Sequence, residues 1–509
     1  MRQIEIMDTT LRDGEQMQGI SFTPSEKLTI AEILLSRVKV DRLEVTSAKV
    51  SSGEQKGVEK IVEWADNFGF TDKLEILTFI DYDKSINWAM KTGIKSINLL
   101  TKGSLKHCEQ QLKKTQKEHQ NDIERTLEYA FSKNLSVNVY LEDFSNGILN
   151  SPEYLFAQID FLKNFPIKRI MLPDTLGILN PFSTYENIKN IVEKYPTVHF
   201  DFHPHNDYGL GTANALAAIK AGVKGVHLAV NGMGERAGNA SLDEVCVGIK
   251  DFIDANININ EKELFTASQY VETFSGQRMP ANKPIYGKNI FTQTAGVHAD
   301  GDKKGDLYVN NLKPERFGRH REYALGKLSG KANLEINLKE LGISLSEEKK
   351  NILLQTIIEL GDKKKTVFAT DLPFIINDIF ETKTNNDFKV LNFSINSTYK
   401  LKSIANVRCS FKNEEVEEAA QGDGGYDAFM NALKKILTQF KIQIPKLIDY
   451  TVEIPPGGRT DAMVQAVITW EVEQADGKTK KITTKGFNHD QNTAAIEATL
   501  KIINFKILS

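Results

Sequence analysis

Cysteine is nearly absent: Cys108, Cys246 and Cys409 are the three in the chain, widely separated and without C-x-x-C spacing. That scarcity excludes a disulfide framework and a cysteine-built zinc cluster, and a reducing cytoplasm is the expected setting. No charge of one sign dominates, since 64 basic and 67 acidic side chains leave a formal net charge of −3. Without a block of like charge, docking to nucleic acid or to a membrane surface is not expected. Long hydrophobic runs are missing as well: Arg2 and Glu5 interrupt the first isoleucines and Asp8 follows at once, which leaves no apolar signal region, and no later run approaches a membrane span. What is present, 40% hydrophobic and 26% charged residues over a length of 509, is an ordinary folded composition that needs more than one hydrophobic core. Small-molecule chemistry is the default reading.

Short apolar runs rich in β-formers recur every twenty to forty residues: "IEIMD" from Ile4, "RLEV" from Arg42, "LEILTF" from Leu74, "SINLL" from Ser96, "SVNVYLE" from Ser136, "RIMLPD" from Arg169, "HFDFHPH" from His199 and "GVHLAV" from Gly225. Segments of helical period separate them. Thr23 and Glu26 form a capping box with Pro24 at the first helical position, and Leu28, Ala31, Leu35 and Val38 then share a face. Eight β/α units are the number that closes a parallel (β/α)8 barrel; an open doubly wound sheet is the alternative.

The alternation stops near residue 250. A glycine- and lysine-rich stretch from Gly296 leads into helical material such as "EEKKNILLQTIIELGDKKK", and from about Asp387 the period turns strand-like again. There "ANVRCSF" followed by a helix around Ala428–Ile436, and "AMVQAVI" followed by one around Ala494–Ile503, suggest two ββ(β)α halves. The expected domains are a barrel over 1–275, mostly helical linker subdomains over 276–385 and an α+β domain over 386–509. Two glycine-rich turns, "GDGGYD" from Gly422 and "PPGGRTD" from Pro455, give backbone amides room to meet a ligand and read equally well as tight turns.

In a parallel barrel the catalytic groups lie at the C-terminal strand ends. The first strand ends in "MDTTLRDGEQ", placing Asp8, Arg12, Asp13, Glu15 and Gln16 at the mouth, a polar cluster that is either a site or a solvated loop. The seventh ends in "HPHND". Residues two apart on a strand share a face, so His203 and His205 can point inward together as metal ligands, or as a structural pair. After the eighth strand, the glycines of "NGMGERAGN" permit close backbone approach, and Asn239 can offer a neutral oxygen to a cation.

Together, "DTTLRDGEQ", "HPHNDYGLGTANALAAIKAGV", "NGMGERAGN" and "GVHADG" resemble the DRE-TIM metallolyase superfamily, and within it the 2-isopropylmalate, homocitrate and citramalate synthases, over nearly the whole chain. The resemblance implies a divalent metal ion (Mg²⁺, Mn²⁺ or Zn²⁺) held by Asp13, His203, His205 and Asn239, with Arg12 beside the substrate carbonyl. Such a mixed oxygen and nitrogen set suits an octahedral ion that chelates a 2-oxo acid. Fe(II) oxygenases use similar donors, an alternative this fold and loop disfavour. Acetyl-CoA is the implied co-substrate. Glu142, at the end of the fifth strand, would accept the proton from its methyl group, and Arg12 would stabilise the alkoxide. Thr175 is similar to the family threonine that binds the substrate carboxylate. His298 and Tyr308 match residues that reach the active site from a neighbouring subunit, so a homodimer is implied. The C-terminal domain is similar to the family's allosteric domain, which implies an amino-acid effector, isoleucine or leucine.

Acceptor size is set by the volume near the substrate's alkyl group. Tyr140 shares the inward face of Glu142, and Leu77 and Leu100 occupy corresponding ends of the third and fourth strands. The three are either a pocket wall or ordinary barrel core. Isopropylmalate synthases are small or polar at the positions matching Tyr140 and Leu100, whereas Leu, Leu and Tyr together look like the citramalate synthases. The expected activity is therefore condensation of acetyl-CoA with pyruvate to (R)-citramalate, and the alternative is 2-isopropylmalate synthesis from 2-oxoisovalerate. An acyl-CoA lyase or carboxyltransferase on the same barrel is disfavoured: Cys246 follows the glycine loop rather than lying in it, and no modified lysine is evident. A non-catalytic amino-acid sensor is the reading outside enzymes.

Overall fold

A computed structural model describes residues 2–305, 307–362, 367, 369–380, 388–453, 464–473 and 479–508. The chain divides into two compact units, one formed by Met1–Phe291 with Val309–Arg321, the other by Thr292–Tyr308 with Glu322–Ser509.

The first unit is a closed barrel of eight parallel strands, β1 (Glu5–Asp8), β2 (Arg42–Ser47), β3 (Leu74–Phe79), β4 (Ser96–Lys102), β5 (Ser136–Glu142), β6 (Ile170–Asp174), β7 (Phe200–Pro204) and β8 (Gly225–Leu228). Each begins within a residue of the position expected from alternation, because both faces of a parallel strand are buried and the apolar runs are correspondingly dense. Register sets levels inside the barrel: Leu100 pairs with Tyr140 and Tyr140 with Met171, while Lys102 pairs with Glu142. The helix after β1 opens with both halves of the capping box, Thr23 accepting from the Glu26 amide and Glu26 from the Thr23 amide, with Pro24 in the first turn. Of its expected inner face Ala31, Leu35 and Val38 are buried and Leu28 half-buried.

That helix also buries a charge which its periodicity hides. Lys27 is fully buried, its Nζ bonded to the Leu11 carbonyl (3.2 Å) and paired with Glu54 (2.5 Å) and Glu15 (2.6 Å). Glu15 also accepts the Phe22 amide at 2.8 Å, so of the mouth cluster it braces the loop, while Gln16 is exposed. A buried cation is tolerated only with such partners. Deeper in the barrel, Arg42 bonds Glu75 (3.2 Å) and Asp201, and Arg169 bonds Glu5 (2.9 Å), forming a charged floor. Val309–Arg321 packs on the same unit through Phe317 on Phe291 (ring centroids 5.8 Å) and through Arg316 paired with Asp251 and Glu261 (3.0 and 2.7 Å).

The second unit contains the helices Gly296–Lys303, Lys331–Glu340, Glu347–Asp362 and Leu372–Phe380, with a small core that includes Leu334, Leu338, Leu353, Ile357 and Leu372. Two antiparallel three-stranded sheets follow, β9 (Lys389–Asn396), β10 (Ser403–Phe411) and β11 (Glu414–Gly422), then β12 (Lys446–Glu453), β13 (Val464–Glu473) and β14 (Thr479–Asn488). Each sheet is followed by a helix, Gly425–Gln439 and Gln491–Leu508. The two expected halves are thus each βββα. Alternation turns Ala405, Val407 and Cys409 of β10, and Ala466, Ile468 and Trp470 of β13, onto one shared core. The turn "GDGGYD" joins β11 to its helix; "PPGGRTD" lies outside the described residues.

Candidate active site

Past β1 the chain turns so tightly that the amides of Arg12, Asp13 and Gly14 all bond the Thr9 carbonyl (3.1, 2.8 and 3.1 Å). Asp8, fully buried, braces this turn by accepting the Thr10 amide (2.9 Å) and hydroxyl (3.0 Å), and burial pushes its carboxyl up to about 7. His203 sits on β7 and His205 just beyond it, where an isolated antiparallel bridge pairs it with Asn239. Asp13, His203 and His205, all buried, offer ligand atoms that lie within 4.8 Å of one another. His203 Nε2 is 3.4 Å from Asp13 Oδ2 and 3.4 Å from His205 Nε2.

This geometry fits a divalent cation. Asn239 engages its Nδ2 with Asp13 Oδ1 (3.1 Å) and the Met233 carbonyl (2.9 Å), leaving a buried Oδ1 without a hydrogen-bond partner. Such an orphan acceptor costs free energy unless something positive meets it. Burial, with His203 adding to it, drives His205 down to about 4, so its ring is neutral and its lone pair is free to coordinate. Burial alone would raise the Asp13 carboxyl, but Arg12 and His203 outweigh it and hold that group well below its ordinary range. The loop that delivers Asn239 requires Gly238: its φ is +84°, and a Cβ there would collide with the Gly232 carbonyl oxygen.

Arg12 reaches partners from three elements. Its Nε pairs with Glu44 on β2, Nη1 with Asp13 (2.6 Å), and Nη2 approaches the Tyr140 hydroxyl at 3.5 Å. Burial disfavours the charge, yet Glu44 and Asp13 more than offset this and raise the guanidinium above its ordinary value. Glu44 is not among the residues expected from the sequence. An inward carboxylate in "RLEV" is its sole signal, and its partners, Arg12 and Asn98 (2.7 Å to Oε1), come from the turn after β1 and from β4.

Leu77, Leu100 and Tyr140 belong to one cluster with Met7 and Met171, inside the barrel and beside Arg12. Met7 and Met171 are further lining residues, signalled only by their inward parity on β1 and β6. Glu142 is half-buried and ion-paired with Lys102, its register neighbour on β4. Thr175 accepts the Asp143 amide at 2.9 Å through its Oγ1, and its carbonyl accepts from Arg236 (2.7 Å), which also grips Asp207. Arg236, inside the glycine loop, therefore ties the segment delivering Asn239 to the one carrying Thr175. His298 and Tyr308 belong to the second unit, where their ring centroids lie 4.3 Å apart with the planes tilted by 33° and His298 Nδ1 lies 3.2 Å from Gln293 Oε1.

Comparison with known proteins agrees with this layout. An HMGL-like family model matches residues 3–271, a homocitrate synthase post-HMGL domain-like model residues 285–365, and a LeuA allosteric (dimerisation) domain model residues 366–507. The (R)-citramalate synthase CimA of Methanocaldococcus jannaschii is 34% identical over 468 residues, covering 91% of this chain and 92% of its own. The 2-isopropylmalate synthase of the same organism is 32% identical over 515 residues, covering 99% and 95%. The chain belongs to the HMGL-like family, in its group of 2-isopropylmalate, homocitrate and citramalate synthases.

Proposed function

We propose that this chain condenses acetyl-CoA with pyruvate to give (R)-citramalate and CoA, an acyl transfer at the start of a route to isoleucine. Two relatives of nearly equal identity act on different acceptors by name, so overall similarity does not choose between them. The observation that carries the choice is the apolar cluster beside Arg12. Leu77, Leu100, Tyr140, Met7 and Met171 pack together there, and an acceptor's alkyl group directed at these bulky side chains is accommodated more easily as methyl than as isopropyl.

Asp13, His203, His205 and Asn239 are assigned to a divalent ion, which when bound supplies Lewis-acid polarisation of the keto oxygen. Arg12, charged and held on one side by Glu44, stabilises the negative charge that develops on that oxygen as the carbon–carbon bond forms. Glu142 takes the proton from the acetyl methyl group, its carboxylate oriented by Lys102. Thr175 Oγ1 accepts the Asp143 amide and donates its proton only in a long bond to the Pro173 carbonyl (3.5 Å), and this proton is assigned to the substrate carboxylate. Water then cleaves the thioester to release CoA. His298 and Tyr308 are assigned to the acetyl-CoA half-reaction, acting in a homodimer on the neighbouring subunit's site. We assign 1–275 to catalysis, 276–385 to the linker and 386–509 to regulation by an amino acid, isoleucine on this reading. The scarcity of cysteine supports a cytoplasmic setting, and among the described residues no helix is long and apolar enough to cross a membrane.

Steady-state release of free thiol with Mg²⁺ or Mn²⁺ tests the reading. The expected result is a kcat/KM for pyruvate at least about tenfold above that for 2-oxoisovalerate, since each methylene in a filled pocket is worth about 1–3 kcal/mol. A preference for 2-oxoisovalerate would overturn the pocket argument in favour of 2-isopropylmalate synthesis, and absence of thiol release with any 2-oxo acid would favour a sensor.

A further inference from the structure

His227 lies on β8, fully buried, and the chemistry above gives it no role. Its Nε2 is 3.1 Å from Asp201 Oδ2, and its Nδ1 is 2.9 Å from the Tyr140 hydroxyl. The two bonds fix each other's polarity. Asp201 is also ion-paired with Arg42 and bonded by His199 (3.0 Å), so both of its carboxylate oxygens serve as acceptors. An ionised carboxylate only accepts, so Nε2 carries the imidazole proton and Nδ1 presents a lone pair. Tyr140 must then donate its hydroxyl proton to His227. The phenol proton is thereby withheld from substrate, and the phenol oxygen turns its lone pairs toward Arg12 Nη2 at 3.5 Å. The rings meet edge to face at 5.5 Å and 86°, an arrangement that fixes the phenol plane as well as its oxygen.

Tyr140 is 2% exposed and surrounded by Leu77, Met7 and Met171, which offer its hydroxyl proton no acceptor stronger than a thioether, and the Met7 sulfur already accepts from Arg42 at 3.3 Å. Without His227 that hydroxyl would be a buried donor lacking its partner, a state costly enough to move the ring or admit water. We infer that His227 is a positioning residue for acceptor selectivity: held by Asp201 and Arg42 from the barrel floor, it locks Tyr140 as the rigid wall that excludes acceptors larger than pyruvate. This inference rests on the reading that the Leu77, Leu100 and Tyr140 wall sets acceptor size.

The test is a double-mutant cycle read on selectivity, the ratio of kcat/KM for pyruvate to that for 2-oxobutyrate, in the full-length metal-loaded enzyme. His227→Leu is expected to lower the ratio by about tenfold, the discrimination one methylene can carry, mainly through a higher kcat/KM for 2-oxobutyrate, with KM for acetyl-CoA unchanged. His227→Asn, whose amide oxygen can take the place of Nδ1 as acceptor, is expected to restore most of the ratio. Tyr140→Phe keeps the ring and loses the hydroxyl, so it should lower the ratio by a similar factor, and the double variant Tyr140→Phe/His227→Leu should lose no more than either single one. Additive losses in the double variant, or an unchanged ratio in both single variants, would overturn the inference. Should His227→Leu not fold, Tyr140→Phe and His227→Asn decide alone: the first must lower the ratio while the second does not, and the reverse overturns it. A wild-type preference for 2-oxoisovalerate over pyruvate refutes the proposed acceptor instead, and non-additivity can then be read with 2-oxoisovalerate and its next larger homologue.

Discussion

Arg12 meets Glu44, Asp13 and Tyr140 through three different nitrogens, a demand that a planar fork satisfies and an ammonium does not. Arg12→Lys is therefore expected to reduce kcat by about 10²–10³, the usual loss when one donor to a developing oxyanion is removed, with a smaller change in KM for pyruvate. A rise in KM with kcat intact, in the same steady-state assay, would assign Arg12 to ground-state binding. At this scale the sequence was informative where motif and strand end coincide, as at Asp13, His203 and His205. It was silent at Glu44, His227 and Lys27. An inward charge on a strand, or one on the buried face of a helix, looks the same as a solvent-facing charge until its partners are known, and those partners lie far away in the chain: Glu54 for Lys27, Asp201 and Tyr140 for His227.

Among the elements, the loop after β8 has the least freedom. Gly238→Ala would strain a left-handed position and press a methyl group on the Gly232 carbonyl, displacing Asn239. Affinity for Mn²⁺, titrated by EPR, should fall by about 10-fold or more, as when groups supporting metal ligands are lost, while far-ultraviolet circular dichroism is unchanged. The helix Gln116–Ser132 carries a second expectation. His119 accepts the Lys102 amide at 3.3 Å, and burial lowers its ring to about 4 from 6.5. On acidification the unfolded chain protonates this residue first. Stability that is complete above about 6.5 is thus lost as pH falls toward about 4, and below that both states are protonated. Asp8 and Asp243, both raised to about 7 by burial, act in the opposite sense, their contribution fading as pH rises toward that value. Comparison with His119→Gln isolates the histidine: between pH 6 and 5 the wild type should lose roughly 1 kcal/mol more in urea unfolding than the variant. Equal losses would show that His119 is protonated in the folded state. Helix starts such as the Thr23 capping box were legible because capping is local chemistry. The π-helical turns Ile33–Val38 and His107–Gln111 were not, since a one-residue widening leaves the apolar pattern nearly unchanged.

At the level of the whole molecule, separate hydrophobic cores serve the barrel, the linker helices and the paired βββα halves. Ending the chain at residue 385 is accordingly expected to leave the barrel folded, with some turnover retained and inhibition by isoleucine abolished; inhibition that survives the truncation would place the effector elsewhere. The barrel and the C-terminal duplication were readable because each rests on a repeated period, eight dense strands in one case and two strand-to-helix passages in the other. The interleaving of 292–308 with the second unit and 309–321 with the first was not, because such short segments carry no period of their own. The proposed catalysis depends on strand ends remote in sequence gripping one cation. Pulsed EPR of the Mn²⁺-loaded enzyme addresses this directly: it should show one tight site per chain with two imidazole nitrogens coupled to the ion, and one nitrogen fewer in His205→Ala. Mn²⁺ bound without nitrogen coupling, or bound equally well after both His203 and His205 are replaced by alanine, would contradict it.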